Sequence, residues 1–285
     1  MISRTLRILL AALALALPAQ VAGAGERAAM TVATYNLRLD LAQDGPNAWP
    51  NRREMVRSLV RRHGLDVFGT QEGLPGQIDD LAAMGEYAFV GAGRDDGRRA
   101  GEHSAIFYRR DRFDLLGAGD FWLSQTPDRP SKGWDARCCN RIASWARLRD
   151  RATGTAFHFF SVHFDHEGVV ARRESAKLMV RRIGEIAGGE PVVCAGDFNS
   201  TPDTEQIRTM RTLLADSFRA TATPARGPVG TFNGFKPDAA PTDRIDYVFV
   251  SAQVRVLEYA VPADSRDGRY PSDHFPVVVK VEIGP

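Results

Sequence analysis

Acids, amides and histidines stand in this 285-residue sequence where core strands would carry valine or phenylalanine. Asn36 closes "MTVATYN" and Glu72 closes "DVFGTQE". His163 breaks "FFSVHFDH", and Asp197 and Asn199 end "VVCAGDFN". Asp246 sits inside "RIDYVFV", and Asp273 and His274 precede "FPVVV". A buried charge is costly unless it is paired or bound to a cation. Several carboxylates converging on one edge would repel one another without such a cation. Oxygen donors with few histidines and no zinc-type cysteine spacing suit Mg²⁺, with Mn²⁺ or Ca²⁺ as alternatives. An imidazole beside a carboxylate holds its proton near neutral pH, which equips it for acid–base or electrostatic work.

Each residue alone has an ordinary explanation. Glu72 would serve as a strand-end cap, "DFN" as an Asx-turn, Asp246 as a partner of Arg244, and His163 as a satisfied core histidine. The set as a whole does not, because all the positions fall at matching strand ends of a chain that repeats its own plan.

That repetition appears once elements are assigned. "MTVATYNLRLD" reads as a strand, "NRREMVRSLVRRHG" as a helix opened by an Asn51/Glu54 cap with apolar positions 55, 56, 59 and 60, and "LDVFGTQE" as a second strand. The later half offers "AFHFFSVHFDH", then "RRESAKLMVRRIGEIA" with Ala176, Met179, Ile183 and Ile186 inward, then "PVVCAGDFN". Each strand–helix–strand unit delivers polar side chains at the carboxyl ends of buried strands, the edge on which α/β folds build sites. Segments 102–110, 112–124, 141–150, 242–251, 254–261 and 276–283 alternate as antiparallel strands do. The expected architecture is α/β (α+β): two packed mixed sheets with helices outside. "GAGRDDGRRAG" (91–101) reads as an exposed loop.

Arg4 and Arg7 precede an uncharged apolar run from Ile8 to Leu17, followed by Ala22-Gly23-Ala24, the layout of a secretory signal peptide over 1–24. The expectation is a secreted or periplasmic protein whose residues 25–285 form one domain, with no stable membrane insertion and a monomeric state. Removing those two arginines leaves 35 basic against 35 acidic residues, so no basic field marks a tight nucleic-acid binder. Of three cysteines, Cys194 lies in an apolar run and reads as a small buried hydrophobe, while the adjacency of Cys138 and Cys139 leaves their state open.

The stretches "TYNLR", "GTQE", "SVHFDH", "AGDFNS", "RIDYVFV" and "SDHFP" resemble, in this order, the motif series of the endonuclease/exonuclease/phosphatase family. That family includes deoxyribonuclease I, abasic-site endonucleases, secreted sphingomyelinases, deadenylases and inositol-polyphosphate phosphatases. The resemblance spans about residues 30 to 283, and "GDFN" with a downstream "SDH" is its most specific part. It implies a four-layer, deoxyribonuclease I-like α/β sandwich of the kind found in bacterial secreted members, and a Mg²⁺-dependent phosphodiesterase, nuclease or phosphatase. It implies Glu72 as principal metal ligand, supported by Asn36 and Asp273. Asp197 would orient or deprotonate the attacking water, and Asn199 would hold the phosphate. His274, paired with Asp246, would act as base or as a phosphate-stabilising cation. His163 would contact the phosphate with Glu102 as its acidic partner, and Arg141 would bind phosphate. The substrate class is left open among nucleic acid, nucleotide, phospholipid head group and sugar phosphate.

Two loops without motif residues, 120–141 and 227–244, carry recognition chemistry: Trp122, Lys132 and Trp134 in one, Phe232, Asn233 and Phe235 in the other. His63, His103, His158 and His166 read as structural or solvent-facing. Two other classes compete: an inactive protein binding a phosphorylated ligand on the same fold, and a glycosidase using paired carboxylates, for which the His and Asn partners are superfluous.

Overall fold

The computed structural model describes residues 27–284, so the leader expected over 1–24 lies outside the described residues. In chain order the elements are β1 (Ala28–Asn36), α1 (Trp49–Arg62), β2 (Val67–Gln71), α2 (Pro75–Ala82), β3 (Tyr87–Val90) and β4 (Ile106–Arg109). Then follow β5 (Phe113–Trp122), β6 (Ile142–Asp150), β7 (Ala156–His163), α3 (Val169–Ala187), β8 (Val192–Asp197) and α4 (Glu205–Met210). The last are β9 (Ala215–Asp216), α5 (Ser217–Ala220), β10 (Asp246–Val250), β11 (Val254–Ala260) and β12 (Val277–Ile283).

The strands form two six-stranded sheets, ordered β11-β12-β1-β2-β4-β3 and β5-β6-β7-β8-β10-β9. Only β1–β2 and β7–β8 pair in parallel, and these are the two strand–helix–strand units seen in the sequence. Both sheets are therefore mixed. One apolar cluster fills the space between them, joining Val32, Val67, Val277 and Val279 to Phe157, Phe159, Val193 and Val248. A second packs the outer face of the first sheet (Tyr35, Phe68) on α1 and α2 (Val56, Leu59, Ile78, Leu81). A third packs the other sheet (Phe160, Cys194, Phe249) on α3 and α4 (Ala176, Met179, Ile183, Ile207). The result is a four-layer sandwich, helix–sheet–sheet–helix. Strands buried on both faces explain the near-continuous apolar runs. Each fully buried valine or phenylalanine contributes about 1.5–3 kcal/mol by leaving water.

Several details differ from the sequence reading. Helix α1 starts at Trp49 with a proline in its first turn and Ala48 at the cap, so Asn51 and Glu54 lie inside the helix. The proline supplies the helix start because it lacks an N–H that would go unpaired there. Segment 102–110 is a strand only from Ile106. Helix α2 and strand β3 were not anticipated. Arg94 is buried, although it belongs to a segment that reads as an exposed loop. Arg244 pairs with Asp216 at 2.7 Å, which leaves Asp246 for another partner.

Candidate active site

The two sheets approach closely where glycine permits it. A Cβ on Gly69 of β2 would lie 2.6 Å from the Ser161 hydroxyl of β7. That hydroxyl accepts from Gln71 Nε2 at 3.2 Å, joining the residue before Glu72 to the opposite sheet. At the same end, β1, β7 and β8 finish at Asn36, His163 and Asp197, while β6 and β10 begin just after Arg141 and at Asp246. Parallel strands thus contribute their carboxyl ends and antiparallel neighbours their amino ends to one edge. Register places His163 and Asp246 on either side of Asp197 in adjacent strands.

The edge frames a cleft of about 500 Å³ lined by Glu72, Glu102, Arg141, His163, Asp197, Asn199, Asp273 and His274. Asn36 and Asp246 are fully buried behind it. All ten residues singled out in the sequence therefore meet in one place.

Asn36 spans the two sheets. Its Nδ2 donates to Glu72 Oε1 at 3.1 Å and to Asp197 Oδ2 at 3.0 Å. Glu72 Oε2 accepts from the Leu39 N–H at 3.1 Å. Asp197 Oδ1 accepts from the Asn199 N–H at 2.8 Å, so the Asx-turn forms and the aspartate still faces the cleft. Burial and the nearby Asp246 push the Asp197 carboxyl up to about 7. His274 Nδ1 lies 2.9 Å from Asp246 Oδ2, and its Nε2 lies 3.9 Å from Asp197 Oδ2. Burial opposes a charge on His274. The Asp246 and Asp197 carboxylates outweigh it and hold the imidazole well above its ordinary range.

Asp197, Asp246 and His274 are close enough to share a cation. The raised imidazole lets a proton serve that purpose instead, since a protonated imidazole is not a ligand. Glu72 and Asp273 have no cation so close among the described residues. Burial, with added repulsion from Glu72, raises the Asp273 carboxyl, and its nearest cationic side chain is Arg38 at 3.9 Å. Two carboxylates are hard oxygen donors that fit a divalent ion such as Mg²⁺, with the Asn36 amide held beside Glu72 through its nitrogen.

The far wall is built around His163. Arg141 Nη1 lies 3.2 Å from both of its ring nitrogens, and Asn199 Nδ2 lies 3.2 Å from Nε2. Burial and the flanking guanidiniums of Arg141 and Arg94 push His163 well below its ordinary range, so it stands neutral. Glu102 departs from the expected partnership: it takes Arg94 at 2.6 Å, and its nearest approach to His163 is 3.9 Å. A full positive charge attracts the carboxylate more strongly than a neutral ring does.

Three further residues belong to the cleft and were not singled out. Arg94 sits on Glu102. Arg38 lines the cation side. Arg141 Nη2 donates to His166 Nδ1 at 2.6 Å, so His166, solvent-facing as the sequence suggests, also lines the cleft. The spacing His163-x-Asp165-His166 carried a usable signal for it, since Asp165 also bonds Arg141 Nε at 3.4 Å. Arg94 left none, because its inward turn depends on a partner eight residues away.

Of the recognition candidates, Trp122 is core, with its indole N–H on the Arg94 carbonyl at 2.7 Å. Trp134 packs against the apolar cluster under α3. Phe232 is 43% exposed and lines the cleft. Cys138 and Cys139 lie side by side on the same rim, and Cys194 is free and buried. A larger groove of about 730 Å³ lies elsewhere, along β11 and β12. There Arg62 and His63 pair with Asp264, and Arg226 and Lys280 pair with Glu258.

The sandwich and its edge define a class, and a sequence profile of the Endonuclease/Exonuclease/phosphatase family matches residues 33–274: the chain belongs to that family. Among solved structures, a mannosyl-6-phosphatase of Bacteroides thetaiotaomicron is 42% identical, with a TM-score of 0.84 over 88% of this chain and 99% of that one. A family protein from the same organism is 40% identical, with a TM-score of 0.86 over 90% and 99%. Nocturnin of Drosophila melanogaster is 26% identical over 223 residues, covering 64% of this chain; the chain spans about a third of nocturnin's own length, 32%.

Proposed function

We propose that this protein is a divalent-metal-dependent phosphoester hydrolase acting on small phosphomonoesters. The observation that carries the reading is the Asn36 amide. It donates from one nitrogen to Glu72 at 3.1 Å and to Asp197 at 3.0 Å, which supports a cation-type site beside a proton-accepting one. Glu72 and Asp273, with Asn36 in support, would hold the ion, which supplies charge neutralisation at the phosphoryl oxygens. Asp197 Oδ2 takes the proton of the attacking water. Its raised pKa suits a group that must be ionised yet basic near neutral pH. Asn199 Nδ2 and Arg141 hold the phosphoryl oxygens. His274, kept protonated by Asp246, adds positive charge opposite the developing negative charge.

The preference for a monoester is supported by likeness to the mannosyl-6-phosphatase and by the cations that line the cleft of about 500 Å³. A dianionic monoester needs more cationic partners than a diester, and Arg141, Arg94, Arg38 and His274 are all present.

The purified protein should hydrolyse a hexose 6-phosphate in Mg²⁺, lose that activity in EDTA, and regain it with Mg²⁺ or Mn²⁺. D197N should cut kcat by about 10²–10⁴, the range for a lost general base. Turnover that survives both EDTA and D197N rejects the assignment.

A further inference from the structure

Phe232 is anomalous among the exposed large hydrophobics. Leu115, Leu116, Val169, Leu213 and Val229 are also exposed, but among these only Phe232 lines the cleft. Its backbone is firmly mounted. Thr231 N–H and Phe232 N–H both donate to the Asp243 carbonyl, at 2.9 and 3.3 Å. Asn233 N–H and Gly234 N–H donate to the Asp273 carbonyl at 2.7 and 3.0 Å, and Phe275 N–H donates to the Thr231 carbonyl at 2.7 Å. The ring meets His274 edge to face, with centroids 5.1 Å apart at 64°. A flat apolar surface is thus held rigidly beside the phosphoryl-handling histidine and left open to solvent.

Such a surface gains by being covered, and in a phosphoester the part that lies outside the phosphoryl pit is the alcohol. The cleft says what kind of alcohol. Among the described residues, and apart from the histidines, Phe232 is the only aromatic residue lining it, joined by Leu39, Ile245, Cys138 and Cys139. Arg38 and His166 stand at its rim, half-buried and half-exposed respectively. A nucleobase presents two flat apolar faces and is best served by a sandwich. A pyranose presents one apolar C–H face and a girdle of hydroxyls, matching one ring and a charged perimeter.

We propose that Phe232 is a specificity-determining residue: the pyranose ring of a hexose monophosphate lies on it while the phosphoryl group occupies the pit. This rests on the phosphomonoesterase reading above and adds to it the leaving-group site.

The test compares wild type, F232A and F232Y on hexose 6-phosphate, glycerol 3-phosphate and a nucleoside 5′-monophosphate, all in Mg²⁺, with melting temperatures to confirm folding. In F232A the ratio of kcat/KM for the hexose ester over the glycerol ester should fall about tenfold, as expected for a lost stacking contact, with the change carried by KM. F232Y, which keeps the flat face, should keep the ratio. An unchanged ratio in F232A, with or without a general loss of activity, overturns the platform and makes the ring a support for His274. A selective loss on the nucleotide overturns it in favour of a base. Wild-type protein that hydrolyses none of the three esters overturns the phosphomonoesterase reading itself, an outcome distinct from both.

Discussion

Asp246 places one carboxylate oxygen on His274 at 2.9 Å, while its other oxygen is buried without a partner. In the mechanism proposed above, an acid so committed acts through the histidine, as a positioning residue and not a catalytic one. D246N keeps the shape and removes the charge that holds the imidazolium. The expected result is a fall in kcat of about 10²-fold with KM little changed, and a His274 imidazole titrating at lower pH by NMR. A variant with normal kcat and an unmoved imidazole would show that the pair is structural only. At this scale most of the site was legible, since an acid inside "RIDYVFV" or before "FPVVV" has few reasons to be there. Arg94 and the Arg94–Glu102 pairing were not legible. A salt bridge in a loop depends on how the chain turns, and neither residue interrupts an apolar pattern.

The elements hold the site by proximity of the two sheets. Gly69 faces Ser161 across that interface, with no room for a side chain. G69V should force β2 away from β7 and carry Glu72 with it. Overpacking of this kind costs about 1–3 kcal/mol, read as a lower melting temperature. Activity should fall further than destabilisation alone explains, with G69A intermediate. Full activity in G69V would mean that the inter-sheet distance is not what sets the site. The sequence showed the strands well, because valine, isoleucine and phenylalanine runs are strong signals. It was weaker on boundaries. Asn51 resembled a cap, yet Pro50 sets the start of α1, and α2 was obscured by the glycines and prolines around it. Parallel pairing within each half could be inferred from the strand–helix–strand repeat. The contact between Gly69 and Ser161 could not, since it joins residues 92 positions apart across two sheets.

At the scale of the whole molecule, pH acts through histidines that fold neutral. Burial lowers His103 and His158 below their ordinary range. Their folded pKa values lie beneath the unfolded one, so below about pH 6.5 the unfolded chain binds more protons than the folded one. Their contribution is therefore present above that pH and is lost as pH falls through the folded values. His274 has the opposite sign, so comparison with a variant isolates the effect. The melting temperature of H103Q/H158Q should decline less than that of wild type between about pH 7 and pH 5. Equal slopes would place the acid sensitivity elsewhere.

Glu72 and Asn199 follow β2 and β8, the corresponding strands of the two halves, and both hold left-handed backbone, with φ of 63° and 45°. Arg38, beyond β1, does the same at 56°. Side chains other than glycine adopt this region at a cost of about 1–2 kcal/mol, less for asparagine. At these positions, then, glycine is the residue that robustness favours and the one that the proposed function forbids. A laboratory selection that rewarded only heat tolerance would drift toward glycine along the cleft edge and, on the reading proposed above, would end with a sturdier but silent protein.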